Sequence, residues 1–127
     1  MTNENWHDVL TLLTIVILAD RRVYKEEVDT FVQTVKTLND QISPEFFMTE
    51  GMAFDWFKSN REQVGKFMVG PDADRNMKRL IQRTRKLKHK DLIISTMESI
   101  ARSDSDYHRS EQNIIRRAAY DWGVAYS

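Results

Sequence analysis

Apolar stripes with helical spacing recur along almost the whole chain and leave few folds open to it. One stripe runs through Val28, Phe31, Val32, Val35 and Leu38, at intervals of three and four residues. This spacing places the apolar side chains on one face of an α-helix. We find no strand-type alternation of apolar and polar residues, and four glycines and two prolines provide few turns for a many-stranded β protein. The sequence therefore predicts an all-α fold.

The first helical segment, residues 4–19, is apolar almost all round from Leu12 to Leu18. A helix of this kind belongs in the centre of a bundle. The apolar run is about ten residues long, whereas a membrane-spanning helix needs roughly 20, and no Lys or Arg precedes it as in a signal peptide. We expect one cytoplasmic domain, residues 1–127, that forms a bundle of six or seven helices.

Local signals divide the middle of the chain into further helices. Gly70-Pro71 is the strongest break, and Asp72 after it is a predicted N-cap. Ser43-Pro44 predicts another helix start. Gly51 and the pair Ser59-Asn60 predict interruptions in the segment that follows. The apolar side chains of that segment are assigned to the core: Phe46, Phe47, Met48, Met52, Phe54, Trp56 and Phe57.

The chain contains an internal repeat with an offset of 84 residues. Asp20 coincides with Asp104, and Glu27 coincides with Glu111. Seven pairs of apolar positions also coincide: Val9 with Ile93, Leu10 with Ile94, Leu13 with Met97, Val16 with Ile100, Phe31 with Ile115, Val35 with Ala119 and Leu38 with Trp122. The repeat predicts two pseudo-symmetric helix–loop–helix hairpins packed together, 4–19 with 25–39 and 91–102 with 109–122.

The two loops of this repeat resemble the paired motif of the tellurite-resistance TerB family, and also the related N-terminal domain of DjlA-type co-chaperones. The motif consists of an Ala, then Asp-Gly-acid-aliphatic, then a Glu that opens the next helix. Its counterparts here run from Ile17 to Glu27 and from Ile100 to Glu111. The resemblance implies an all-helical domain without enzymatic activity, a calcium-type divalent-cation site built from the acids of both loops, and a role in stress or metal response.

The two loops differ in charge, which makes the implied cation site asymmetric. Arg21 and Ser105 stand at the glycine positions, and Arg22 stands where the family has an acid. The expected cation ligands are therefore chiefly Asp104, Asp106 and Glu111, with Asp20 and Glu27 secondary. A structural alternative stays open: these acids can cap helices, or pair with Arg21, Arg22 and Arg109.

A basic segment, residues 75–90, is the second candidate site. It contains eight Lys and Arg residues and no acid, and it makes residues 71–127 net positive although the whole chain is neutral. We expect a basic helix here that binds an anionic partner (a protein, a nucleic acid or an anionic lipid) through Arg75, Lys78, Arg79, Arg83 and Lys86. The alternative is a solvated face that docks on the acidic half of the same chain.

Motifs for catalysis are not found. The chain has no cysteine, no Gly-rich phosphate loop and no glycine-elbow serine. Its three histidines, His7, His89 and His108, lack the close spacing of zinc ligands. We therefore expect a non-enzymatic protein: a cation-responsive interaction module, or a metal-free adaptor that uses the basic helix.

Overall fold

Helices account for most of the described chain. The computed structural model describes residues 3–19, 24–42, 47–86, 89–102 and 109–124, with the backbone alone for residues 3–5, 24, 42, 86 and 109–111. These ranges contain six α-helices, one 3-10 turn and no strand: α1 Asn3–Ala19, α2 Tyr24–Ile42, α3 Glu50–Phe67, α4 Ala73–Arg83, the 3-10 turn Thr84–Lys86, α5 Lys90–Arg102 and α6 Arg109–Trp122. The all-α prediction is confirmed.

Helix α1 lies at the centre of the bundle and contacts each of the other five helices. Every residue from Leu12 to Ile17 is fully buried, as expected for a helix that is apolar all round. The one polar residue of this run, Thr14, donates its hydroxyl proton to the carbonyl oxygen of Leu10 at 2.8 Å. The predicted buried first helix is confirmed, because partners cover it on every side.

The two halves of the repeat form hairpins that pack against each other. Helix α2 packs against α1, α6 packs against α5, and the hairpins meet mainly through α1 and α5. All seven pairs of coinciding apolar positions are buried, each with 5 % or less of its surface exposed. The sequence repeat is thus a repeat of core positions.

Helix α3 is a single helix, so the predicted interruptions at Gly51 and Ser59-Asn60 are wrong. It begins after Thr49, whose hydroxyl oxygen accepts a hydrogen bond from the Met52 amide at 3.1 Å. Gly51 falls in the first turn, where it does not divide the helix, and Asn60 donates its side-chain amide to the Trp56 carbonyl oxygen at 2.7 Å within the helix. The predicted start at Ser43-Pro44 lies outside the described residues.

The start of α3 decides which of its apolar side chains reach the core. Asn39 of α2 holds the segment before the helix, since its amide both accepts from and donates to the backbone of Met48. With this start, Ala53, Phe57 and Val64 face inward. Core assignment is wrong for three members of the aromatic segment: Phe47 is 69 % exposed, Met52 46 % and Phe54 41 %.

A tight turn separates α3 from α4. Gly70 adopts a φ of 92°, which only glycine reaches without strain. Asp72 stands at the N-cap of α4 as predicted, but its side chain makes no capping hydrogen bond. Residues 75–90 do not form one helix. Helix α4 ends at Arg83, and Thr84 donates its hydroxyl proton to the carbonyl oxygens of Leu80 and Ile81, both at 3.0 Å, as the chain tightens into the 3-10 turn.

Helix α6 ends in a glycine cap at Gly123. Its φ is 70°. The amides of Gly123 and Val124 donate to the carbonyl oxygens of Tyr120 and Ala119, at 3.3 and 2.9 Å, which is the Schellman arrangement. Among the described residues, no helix is both long enough and apolar enough to cross a membrane.

Candidate functional site

The predicted cation ligands fall mostly on positions that the structure does not describe. Asp20, Asp104 and Asp106 lie outside the described residues, and the backbone alone is described for Glu111, in the first turn of α6. Within the described parts of the chain, no three His, Cys, Asp or Glu residues form a group that could hold a metal ion. The fit of a cation can therefore be examined at Glu27 alone.

Glu27 is buried in an ion pair that joins α2 to α3. Its exposed fraction is 2 %, and its Oε1 atom accepts a hydrogen bond from Nε of Arg61 at 2.7 Å. Glu27 does not fit a cation ligand in this arrangement, because the guanidinium group already supplies the positive charge beside the carboxylate. The two residues are 34 positions apart, and no local sequence pattern links them.

The pair lines an open cleft of about 540 Å³. Glu27 and Arg61 share its wall with Leu18 at the end of α1, with the last turn of α3, and with Met68 and Val69 directly after that helix. The Arg61 side chain is 38 % exposed, whereas that of Glu27 is 3 % exposed. The arginine thus stands between the buried carboxylate and solvent.

Helix α4, which carries most of the predicted basic site, is fixed along both of its edges. Leu80 and Ile81 are buried against the core. On one edge Arg83 forms two hydrogen bonds to Asp8 of α1, at 3.2 and 3.3 Å. On the other edge Asp74 accepts from Arg117 of α6 at 2.7 Å.

The outward face of α4 carries three basic residues. Arg75, Lys78 and Arg79 are exposed, and their spacing of three and four residues places them on one face of the helix. Lys78 and Arg79 form no ion pair with a described residue, and Arg75 reaches Asp72 only at 3.9 Å. We call these three residues the α4 ridge.

Two of the five predicted basic residues are not on the ridge. Arg83 belongs to the edge that faces α1, where its charge is committed to Asp8. For Lys86 the structure describes the backbone alone, and this lies in the 3-10 turn rather than in α4. A further basic residue, Arg85, forms two hydrogen bonds to Asp121 of α6, both at 3.0 Å. The alternative interpretation, in which the basic segment docks onto acids of the same chain, therefore holds for Arg83 and Arg85.

The contact between Asp74 and Arg117 also makes the Asp74 carboxyl group more acidic, with a lower pKa. The hydrogen bond from Arg117, together with its positive charge, lowers the pKa of Asp74 below its ordinary value. Asp74 therefore stays ionised at all but strongly acidic pH, and this surface ion pair joins α4 to α6.

Comparison with known proteins agrees with the architecture. The chain matches the model of the family described as Tellurite resistance protein TerB over residues 7–125. Neither the curated proteins nor the solved structures yield a match. Because the family match extends over nearly the whole chain, including both hairpins and α4, the protein belongs to the TerB family.

Proposed function

We propose that the protein is a non-catalytic interaction module of the cytoplasm that recruits an anionic partner through the α4 ridge. The observation that carries this proposal is the exposure of Arg75, Lys78 and Arg79 on a helix whose other sides are fixed. The core holds its apolar side, while ion pairs to Asp8 and Arg117 hold its edges.

The physical basis is positive charge that the protein compensates only weakly, since Arg75 alone of the three has an ion-pair contact with a described residue, to Asp72 at 3.9 Å. Three positive side chains within two turns repel one another, and an anionic partner relieves that repulsion. Because the helix is already fixed, binding orders side chains but not the backbone, which lowers its entropic cost. The absence of aromatic residues from α4 favours recognition of charge over base stacking.

Heparin, a polyanion, provides a direct test. We expect wild-type protein to be retained at low salt and released steeply as salt rises, because neutralised anionic groups release counterions. The double variant Lys78→Glu with Arg79→Glu should abolish retention without changing the melting temperature, since both side chains are exposed.

The matched control is Lys25→Glu with Lys58→Glu, which makes the same change in net charge at exposed positions on α2 and α3. This variant should retain most of the binding. Equal losses in the two double variants would show that net charge rather than the ridge governs retention, and would contradict the proposal.

A calcium-type divalent cation at the acidic loops is the second candidate function. Family membership supports it, as does the packing of α1 against α5, since these helices lead into the two loops. In this proposal Asp104, Asp106 and Glu111 bind the cation, with Asp20 secondary, and the bound cation locks the hairpins together in a stress or metal response. With no cysteine in the chain, any protection against tellurite would be indirect.

Calorimetric titration with Ca²⁺, Mg²⁺ and Zn²⁺ tests this second candidate. We expect binding that Asp104→Asn weakens strongly and Asp20→Asn weakens slightly, because Arg21 and Arg22 already neutralise the first loop. Binding to the folded state must also raise the melting temperature. If the titration gives no heat and millimolar cation does not shift the melting temperature, cation binding is not part of the function.

A further inference from the structure

Glu27 is the single charged side chain that is buried among the described residues. Removing a carboxylate from water is costly unless a positive charge and hydrogen bonds compensate for it. Since α2 packs closely against α3, the compensating charge must come from the neighbouring helices or from a bound ion.

Arg61 provides that charge. Its Nε atom donates to Oε1 of Glu27 at 2.7 Å, the distance of a charge-assisted hydrogen bond. Glu27 lies in the first turn of α2, and Arg61 lies in the second half of α3. The contact therefore joins the start of one helix to the later part of the next. The long side chain reaches across the side of the cleft to meet the acid.

We infer that Arg61 acts as a built-in cation beside Glu27, the one of the two expected first-loop ligands, Asp20 and Glu27, whose side chain the structure describes. The guanidinium takes the place beside Glu27 that a divalent cation would occupy, so this half of the protein is held together without metal. This inference rests on the second proposed function in one respect, since it assigns any cation binding to the other loop, at Asp104, Asp106 and Glu111.

The inference makes the two halves of the repeat unlike in chemistry although they are alike in packing. In the first half the positive charge is the guanidinium group of Arg61 on α3, which is covalently part of the protein and cannot dissociate. Arg21 and Arg22 in the adjacent loop sequence add to that charge. Glu111, the counterpart of Glu27, is then the acid that remains for a dissociable cation.

Urea unfolding in EDTA tests whether the two residues compensate each other. Arg61→Ala leaves a buried carboxylate without its partner and should lower the folding equilibrium constant by roughly a hundredfold or more. Glu27→Gln with Arg61→Ala removes both charges and should be clearly more stable than Arg61→Ala alone. If Arg61→Ala does not fold, folding of the double variant supports compensation in the same way.

A double variant no more stable than Arg61→Ala would overturn the inference, because Arg61 would then stabilise the protein through contacts other than the one with Glu27. The control is Arg85→Ala, which removes an arginine from a more exposed pair with Asp121. Exposed pairs contribute little, so this variant should change the folding constant less than about fivefold.

Thermal melts with Ca²⁺ alone as the probe test the place of Arg61. If Arg61 stands in for a cation, millimolar Ca²⁺ should raise the melting temperature of Arg61→Ala by more than that of the wild type. The open cleft gives an ion access to Glu27 once the arginine is shortened. The double variant with Glu27→Gln should lose this additional shift.

The melts distinguish this inference from the second proposed function. Any Ca²⁺ shift of the wild type should be the same in Glu27→Gln, because Glu27 contributes no ligand while Arg61 is present. Loss of that shift in Glu27→Gln, or no additional shift in Arg61→Ala, would overturn the inference. If Ca²⁺ does not shift the melting temperature of the wild type, the proposed cation site at the other loop is wrong. The comparison of Arg61→Ala with its double variant would still test the inference.

Discussion

Individual polar side chains in this protein fix one helix against another. Trp122 of α6 donates its indole proton to the carbonyl oxygen of Ile81 in α4 at 3.0 Å, in a buried position. Asn39 of α2 holds the backbone of Met48 in the same way, with both ends of its amide group. Each contact is worth about 1 kcal/mol when made, and each specifies the position of a helix rather than only adding stability.

The pair of Asp74 and Arg117 predicts a measurable pH dependence. Because the folded state lowers the pKa of Asp74, the pair contributes stability above the ordinary aspartate pKa, and this contribution is lost as pH falls through the lowered value. In an NMR titration, Asp74 should protonate at lower pH than a free aspartate. Arg117→Ala should return its pKa towards the ordinary value.

Arg116→Ala is the control for that titration, since it removes the same charge from an exposed neighbouring position on α6. It should leave the pKa of Asp74 nearly where it is in the wild type. Equal effects of the two substitutions would mean that the general field of α6, and not the hydrogen bond from Arg117, sets the acidity of Asp74.

At the scale of elements, the ends of the helices determine which faces are buried. Thr49 begins α3, and the positive φ of Gly70 turns the chain into α4. Once α4 starts at Ala73, Leu80 and Ile81 face the core and the ridge faces solvent. Changes at these ends therefore act on a whole helix face.

Two glycine substitutions separate the effect of backbone strain from that of helix propensity. Gly70→Ala should destabilise the protein by about 1 kcal/mol or more because of its φ alone, since an added Cβ meets nothing within 4 Å. Gly65→Ala, inside α3, also has open space around it and should stabilise by about 0.5–1 kcal/mol. Urea unfolding measures both, and effects of the same sign would contradict this account.

The helical stripes, the central first helix and the repeat could be predicted because short-range spacing encodes which face of a helix is buried. The exposure of Phe47 and Phe54 could not, because it depends on where α3 begins, and Asn39 sets that start from another helix. The partners of Glu27 and Arg83 could not be predicted either. Those ion pairs join residues 34 and 75 positions apart, and only the packing of helices brings them together.

At the scale of the whole molecule, the two hairpins share one core, to which they contribute equivalent positions. Leu13 of α1 and its counterpart Met97 of α5 are both fully buried. Since α1 packs against α5, the two sequences that coincide in the repeat also build the interface between the halves. The halves should therefore lose their structure together, as one cooperative unit.

Leu13→Ala and Met97→Ala test this equivalence. Each substitution should destabilise the protein by about 2–5 kcal/mol through lost apolar burial and a residual cavity. Both should leave a single unfolding transition that circular dichroism and tryptophan fluorescence follow with the same midpoint. Two separate transitions, or a cost at only one of the positions, would show that the halves are not equivalent in the core.

The central position of α1 has a consequence for biosynthesis. This helix is synthesised before the helices that cover it, and these continue to Trp122, about a hundred residues later in the chain. At ~5–20 residues per second, its apolar surface waits on the order of 10 s for its last partners. During that interval the run from Leu12 to Ile17, which is fully buried in the folded protein, lacks part of its cover, and exposed apolar surface of this kind favours aggregation of a nascent chain.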